Sequence, residues 1–178
     1  MIAFRHADPR FPFLWEDPDQ PAARWHASGD GPVQYFADTP DGAWAEFLRH
    51  EEITEAADLA GIQRDLWAVE VPKTLQLVRP GVSRATATGD RSTYPACQSA
   101  ARRSLARRLV PDGLRISSAA LLPGEARGYH AQRGAMIPGP LRNGNTLALF
   151  GPHGELVGWR TAADAHPGPD VLARVRHF

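Results

Sequence analysis

The chain has 178 residues, with 20 basic and 20 acidic side chains, and its one cysteine excludes an intramolecular disulfide. Balanced charge gives no net field toward nucleic acid or a membrane surface, and no stretch approaches the roughly 18 apolar residues of a membrane span. Without a signal-peptide pattern at the N-terminus, we expect one cytoplasmic domain over residues 1–178, with no membrane or direct nucleic-acid partner.

The N-terminal part of the chain predicts two strands and a helix joined by turn-rich segments. Ile2–Arg5 predicts a first strand, and Asp8–Pro21, rich in Pro and Asp, predicts an irregular loop. After a turn at Gly29–Pro32, the β-branched and aromatic residues of Val33–Ala37 predict a second strand. Thr39, which precedes a proline, then suits the N-cap of a helix.

The rest of the chain predicts short strands around one long helix. That helix begins at Pro95 and runs to Val110, where turn-forming residues end it. The other predicted elements are strands over Leu66–Val71, Leu75–Val78 and Gly113–Leu122, a loop over Pro80–Thr93, a hairpin of Thr146–Phe150 with Glu155–Arg160, and a partly helical tail from Ala162. Because the strands are short and outnumber the helices, we predict an α+β fold with a mixed or antiparallel β core and flanking helices.

Common catalytic signatures are missing from the sequence. There is no Gly-rich phosphate loop, no Cys/His metal-ligand spacing and no Gly-x-Ser-x-Gly nucleophile motif. Cys97 falls inside the long predicted helix, where a small buried hydrophobe is a commoner role than a nucleophile. His26 and His130 are interpreted as satisfied or solvated histidines rather than general bases. We therefore expect no metal site.

Three polar residues, Arg24, Tyr35 and Glu46, stand eleven residues apart in the segment ARWHASGDGPVQYFADTPDGAWAEFLRH. Each has an ordinary structural interpretation. Arg24 suits a surface cation on the ring of Trp25, and Tyr35 suits the core of its strand. At about 100° per residue, Glu46 falls opposite the apolar stripe of its helix, on a solvated face. That stripe consists of Trp44, Phe47 and Leu48.

The same segment resembles the core of the RES domain family, which is named for an Arg, a Glu and a Ser. The family's Arg-Trp pair, strand with Tyr and helix with Glu match Arg24, Tyr35 and Glu46 in order and spacing. A second patch, TYPACQSAARRSLARRL, matches the family at Tyr94, Pro95 and Gln98. A third patch, LRISSAALLPGE, makes Ser118 the match for the family's serine, with Ser117 as the alternative. The core motifs span residues 4–125, and 126–178 form a C-terminal hairpin and tail.

The resemblance implies an ADP-ribosyltransferase-like fold and an active site that takes NAD as its substrate, without a prosthetic group. RES toxins of RES–Xre toxin–antitoxin pairs consume NAD by phosphorolysis or hydrolysis of the nicotinamide–ribose bond, and an Xre-type antitoxin is the implied partner. An ADP-ribosyltransferase that modifies a host protein is one alternative. A non-catalytic module that binds a nucleotide or partner is another, because Ala23 and His26 depart from the family's Gly and Asn. Ser117 also stands where Pro is common in the family.

The resemblance also assigns roles to individual residues. Glu46 would hold the ribose hydroxyls and stabilise the developing cation, while Arg24 would hold the pyrophosphate or an incoming phosphate. Tyr35 would cover the nicotinamide ring, and Ser118 would position a ribose or phosphate oxygen. The set of NAD-binding residues is completed by Arg5 and Gln98.

Overall fold

The structure is a computed structural model that describes residues 1–17, 19–133 and 135–178. Its strands are β1 (Ile2–Ala7), β2 (Val33–Ala37), β3 (Arg64–Glu70), β4 (Leu77–Val78), β5 (Gly113–Ser117), β6 (Ala126–Gln132), β7 (Ala135–Arg142), β8 (Asn145–Phe150) and β9 (Val157–Ala165). Its helices are α1 (Pro40–His50), α2 (Arg84–Thr88), α3 (Tyr94–Leu105) and α4 (Pro169–Leu172), with 3-10 turns at Ala56–Gly61 and Arg91–Thr93.

Seven of these strands form one sheet in the order β4-β5-β8-β2-β1-β3-β9, and β6 pairs with β7 in a separate hairpin. Neighbours in the large sheet are antiparallel except β4 and β5, which run parallel. The predicted α+β class with a mixed, largely antiparallel core is confirmed.

The sheet parts between β1 and β2. β1 pairs with β3 along its whole length. In the described part of the chain it pairs with β2 at one position, Phe4 with Ala37. β2 pairs instead along its whole length with β8. The two strands therefore diverge on one side of the Phe4–Ala37 pair, and a cleft opens there.

Alternate residues of β2 face opposite layers of the molecule. Ala37 packs in the cluster built around α1, and Val33 packs in the cluster that includes α3. Tyr35 lies between them on the same face of the strand. Phe36 faces the other way, into a cluster covered by Phe13 from the loop after β1. The ring of Tyr35 is thus placed between the two main helices.

Helix α1 begins where its capping residues predict. The Thr39 hydroxyl accepts a hydrogen bond from the backbone N–H of Gly42 at 3.1 Å, and Pro40 occupies the first turn. This satisfies one of the helix's otherwise unpaired N–H groups. The predicted apolar stripe is buried in the α1 cluster and consists of Trp44, Phe47 and Leu48.

The predicted hairpin of Thr146–Phe150 with Glu155–Arg160 is wrong. Both segments are strands, but β8 lies between β5 and β2, whereas β9 lies at the sheet edge against β3. Leu147, Ala148 and Leu149 are all fully buried, as expected for a strand covered on both faces. Closeness in sequence predicted the pairing, but burial of this continuous apolar run required a central position.

The predicted loop over Pro80–Thr93 is also wrong, because it contains α2 and a 3-10 turn. The Ser83 hydroxyl accepts from the N–H of Thr86 at 3.0 Å and caps α2. The Asp90 carboxylate accepts from the N–H of Ser92 at 2.9 Å and caps the turn. These short caps are local signals that the polar composition of the segment obscured.

Other element boundaries differ from the predictions. α3 ends at Leu105 rather than Val110, and β5 ends at Ser117 rather than Leu122. β9 runs on to Ala165 before the predicted helical part of the tail forms α4. The β6–β7 hairpin was not predicted, because its strands contain the Gly and Pro residues that usually indicate loops.

Replacement of Thr39 by Ala should lower the free energy of unfolding by about 1 kcal/mol, because the N-cap acceptor is lost. Urea unfolding followed by circular dichroism measures this change. The matched variant Thr39→Ser keeps a hydroxyl at the same position and should retain most of the stability. Equal losses in both variants would show that packing of the methyl group, and not capping, is what matters.

Candidate active site

A cleft of about 770 Å³ opens where β1 and β2 part, and α1 and the start of α3 contribute to its walls. Four of the predicted site residues line it: Arg5, Arg24, Tyr35 and Glu46. They come from β1, the loop before β2, β2 itself and α1. A concave site with convergent polar groups is the usual form of a small-molecule site. The fold therefore brings together residues that the sequence spaces far apart.

Glu46 is held by two hydroxyl groups and is not on a solvated face. Ser118 Oγ donates to Glu46 Oε1 at 3.1 Å, and Thr146 Oγ1 donates to the same oxygen at 2.9 Å. The side chain is half-buried because the polar side of α1 faces β8 and the end of β5. Helical periodicity placed Glu46 correctly opposite the apolar stripe, but it wrongly predicted water there. Among the described residues, Oε2 has no hydrogen-bond partner and is free for a ligand.

The structure distinguishes the two candidate serines by position. Ser118 is buried, bonds Glu46 and also accepts from the N–H of Leu121 at 3.0 Å. Ser117 lines the cleft wall. Ser118 therefore contacts the carboxylate and also makes a local backbone bond. Its match to the family's serine stays a prediction.

Tyr35 is joined to the Arg-Trp-His segment through its hydroxyl. The hydroxyl accepts from the N–H of Trp25 at 3.3 Å and lies 2.9 Å from His26 Nδ1. His26 Nε2 lies 2.9 Å from the carbonyl oxygen of Pro21. When Nε2–H donates to that carbonyl, Nδ1 accepts a hydrogen bond from the Tyr35 hydroxyl. Both ring nitrogens of His26 and the hydroxyl of Tyr35 then have hydrogen-bond partners. Burial raises the pKa of Tyr35 and lowers that of His26, so both are neutral.

His26 is thus a satisfied core histidine, as predicted, and it is fully buried. The side chain of His130 lies outside the described part of the chain.

Arg24 is buried and is not the surface cation that packing on Trp25 would predict. Its Nη2 donates to the carbonyl oxygen of Gly89 at 2.7 Å, and Nη1 donates to Thr93 Oγ1 at 3.1 Å. Its Cζ lies 4.6 Å from the centroid of the Tyr94 ring. The groups that accept these hydrogen bonds from Arg24 belong to the segment that contains α2 and the 3-10 turn. Its local structure therefore decides the orientation of the guanidinium.

Arg49 is the site residue that sequence reasoning missed. It follows Glu46 by three residues on α1, is 3 % exposed and lines the cleft. Nη2 donates to the carbonyl oxygen of Gly89 at 2.7 Å, and Nη1 donates to the carbonyl oxygen of Ala119. Burial and the neighbouring Arg24 lower the pKa of Arg49. The spacing of Glu46 and Arg49, three residues apart on one face of α1, was the sequence signal that could have predicted Arg49 as a site residue.

The C-terminal segment completes the wall beside Arg49. The ring of Phe178 lines the cleft, with its centroid 4.3 Å from Cζ of Arg49 and 4.9 Å from Cζ of Arg91. The segment is held by the N–H of Arg176, which donates to the carbonyl oxygen of Ala120 at 2.6 Å. Cation–π contacts of this kind keep guanidinium planes in fixed positions.

Arg5 and Gln98 differ in how they relate to the cleft. Arg5 Nη1 donates to Gln34 Oε1, its Nε has no partner among the described residues, and burial lowers its pKa to about 10. Gln98 Nε2 donates to the carbonyl oxygens of Ala23 at 2.9 Å and His26 at 3.1 Å. The structure therefore makes Gln98 a positioning residue for the Arg24 segment, behind the cleft wall.

Other predictions concern groups outside this cluster. Cys97 is fully buried, and its thiol donates to the carbonyl oxygen of Thr86 at 3.4 Å, so the small-hydrophobe interpretation is confirmed. Burial raises the pKa of that thiol. Within residues 1–17, 19–133 and 135–178, no three His, Cys, Asp or Glu side chains form a metal-binding group. In the same ranges, no helix is both long and apolar enough to span a bilayer.

Comparison with known proteins places the chain in a family. The family model described as RES domain matches residues 2–155. No curated protein matches the sequence significantly. Among solved structures, the chain is similar to a chain in the crystal structure of the M. tuberculosis MbcT–MbcA toxin–antitoxin complex, with a TM-score of 0.60 and 14% identity. The alignment covers 97% of this chain and 86% of that chain, and it shows a shared fold.

The variant Tyr35→Phe should lower the free energy of unfolding by about 1–3 kcal/mol, because the buried N–H of Trp25 and Nδ1 of His26 lose their partner. Urea unfolding measures this loss. Tyr129→Phe is the matched control, since Tyr129 is half-exposed on β6. Equal effects in the two variants would contradict the hydrogen-bonded role of Tyr35.

Proposed function

We propose, since the chain belongs to the RES domain family, that it is an enzyme that breaks the nicotinamide–ribose bond of NAD. NAD is the substrate in this proposal, and no prosthetic group takes part. The observation that carries it is the Glu46 carboxylate, fixed by two hydroxyls in a cleft that also holds the buried guanidiniums of Arg24 and Arg49.

Breaking this bond is a glycosyl transfer that passes through an oxocarbenium-like state. Positive charge develops on the ribose as the neutral nicotinamide leaves with the bonding electron pair. Glu46 stabilises that charge and accepts hydrogen bonds from ribose hydroxyls through Oε2. Because Ser118 and Thr146 hold the carboxylate before substrate binds, little reorganisation is needed during the reaction.

The two buried arginines suit the phosphate groups of the substrate. A guanidinium is permanently charged, planar and able to bind phosphate oxygens through two N–H groups. Arg24 and Arg49 are already oriented by the carbonyl of Gly89, so binding costs little side-chain entropy. They hold the pyrophosphate of NAD or an inorganic phosphate that acts as acceptor.

Tyr35 supplies a neutral aromatic surface in the same cleft. Its hydroxyl is engaged with Trp25 and His26, so the ring is fixed in orientation. A flat, electron-poor nicotinamide ring stacks favourably on such a face.

The acceptor determines the product. In phosphorolysis, a phosphate oxygen bonds the ribose carbon as the carbon–nitrogen bond breaks, which gives ADP-ribose 1″-phosphate and nicotinamide. In hydrolysis, water takes that place and the products are ADP-ribose, nicotinamide and a proton. In the ADP-ribosyltransferase alternative, a side chain of a host protein is the acceptor.

We extend the proposal to a biological role as a cytoplasmic toxin neutralised by an Xre-type antitoxin. The structural likeness to a chain in a toxin–antitoxin complex supports this role. An antitoxin that covers the cleft beside Phe178 and Arg91 would exclude NAD from Glu46.

The variant Glu46→Gln should lower the rate of NAD loss by about 10²–10³-fold, because the charge that stabilises the oxocarbenium-like state is removed. Chromatography of NAD and its products, with and without added phosphate, measures the rate. The control is Glu55→Gln, since Glu55 is exposed and makes no side-chain cap bond. Undiminished NAD loss in Glu46→Gln would reject the assignment of Glu46. An intact NAD pool in wild type, with no ADP-ribose on protein, would reject the enzyme itself.

Thr146 is a positioning residue for Glu46, and its hydroxyl can be tested separately. Thr146→Val keeps the shape but removes the bond to Oε1, so kcat should fall about tenfold while KM changes little. Thr146→Ser keeps the hydroxyl and should restore most of kcat. If both variants lose kcat to the same extent, the methyl group rather than the hydroxyl determines the position of Glu46.

A further inference from the structure

The cleft adjoins a second cavity, because Arg5 and His6 line both. This cavity has a volume of about 350 Å³ and lies between the end of β1 and the loop that follows it. Beyond the two shared residues, it is lined by Ala7, Asp8, Phe11, Pro12, Trp15 and Arg64. None of the roles assigned above uses these residues.

Two aromatic rings form the outer wall of this cavity. Phe11 is 48% exposed and Trp15 is 53% exposed, and their ring centroids lie 5.1 Å apart in an edge-to-face arrangement. Large exposed aromatic side chains that line a cavity indicate a binding surface. A planar heterocycle stacks on such rings, and base–aromatic stacking typically contributes about 1–3 kcal/mol.

The loop that carries Trp15 is held in place before any ligand binds. Gln34 is 2% exposed, and its Nε2 donates to the carbonyl oxygen of Trp15 at 2.9 Å. The same side chain accepts from Arg5 Nη1. Gln20 adds two bonds to the backbone of Val33, at 3.0 and 2.9 Å. One buried glutamine thus links Arg5, at the junction of the two cavities, to the aromatic wall.

The charge around this cavity is positive. Asp8 is its one lining carboxylate among the described residues, and Arg10 lies 2.7 Å and Arg64 lies 3.7 Å from its Oδ2. His6 is neutral, because burial and Arg64 lower its pKa to about 3. Arg5 retains an unpartnered Nε–H at the junction. The chemistry that fits is a planar base attached to an anion.

We propose that this second cavity is the subsite for the adenylate half of the dinucleotide. The adenine base stacks on the ring of Trp15 with Phe11 at its edge, and Arg5 binds the phosphate of the adenylate half at the junction with the cleft. The ribose that carries nicotinamide then lies at Glu46. This assignment rests on the proposed function for the identity of the whole substrate, but the adenylate subsite can be tested by itself.

The test is calorimetric titration of the full chain with AMP, which contains the adenylate half alone. Trp15→Ala should weaken AMP binding at least tenfold, while Trp15→Phe retains a ring and most of the affinity. Trp159→Ala is the matched control, because Trp159 is also half-exposed but lies on β9 away from both cavities. Because the Trp15 side chain is exposed, its removal should leave the unfolding transition unchanged.

The possible outcomes distinguish failure of the adenylate subsite from failure of the proposed function. Equal AMP affinity in wild type and Trp15→Ala, or no AMP binding by wild type at millimolar concentration, would overturn the subsite. If wild type consumes NAD, Trp15→Ala should raise KM for NAD at least tenfold with little change in kcat, and an unchanged KM would also overturn it. AMP binding that depends on Trp15 in a protein that does not consume NAD would support the subsite and reject the proposed function.

Discussion

The carbonyl oxygen of Gly89 accepts hydrogen bonds from both Arg24 and Arg49, each at 2.7 Å. One acceptor thereby joins the loop before β2, helix α1 and the turn after α2, which are distant in sequence. A Cβ atom at position 89 would lie 2.5 Å from Cγ2 of Thr93, so only glycine allows the turn to close this tightly. Thr93 itself accepts from Arg24. The positions of both cations in the cleft therefore depend on the backbone of this turn.

The buried guanidiniums of Arg24 and Arg49 share one neutral acceptor, so the protein compensates only part of their positive charge. Burial and Arg24 lower the pKa of Arg49, whereas the nearby Glu46 raises it. An anion bound between the two cations would reduce their mutual repulsion. In the proposed reaction that anion is a phosphate group of the substrate. Its attraction to the two cations offsets the free-energy cost of burying them. The neutral Tyr35 and His26 add rigidity without adding charge.

The divergence of β1 and β2 gives these groups a common space. Arg5 on β1 and Tyr35 on β2 lie on either side of the gap, and α1 brings Glu46 and Arg49 to it. Arg5 also borders the second cavity, where the proposed adenylate subsite lies. Side-chain amides support both regions from behind, since Gln98 holds the backbone of Ala23 and His26 beside Arg24, and the buried Gln34 connects Arg5 to the Trp15 loop.

Local patterns in the sequence determined the strands β1, β2 and β3, the capped start of α1 and its buried stripe, because these depend on neighbours within a few residues. The order and spacing of Arg24, Tyr35 and Glu46 along the sequence also identified the RES domain family. Tertiary structure decided which strands pair, and it put the apolar β8 at the centre of the sheet rather than in a hairpin. It also turned Glu46 toward Ser118 and Thr146 and buried Arg49 beside it. Helical periodicity indicates which face of a helix is apolar, but not whether its polar face meets water or other protein groups. The partners of Glu46, Ser118 and Thr146, lie about 70 to 100 residues away along the chain, beyond the reach of a local pattern.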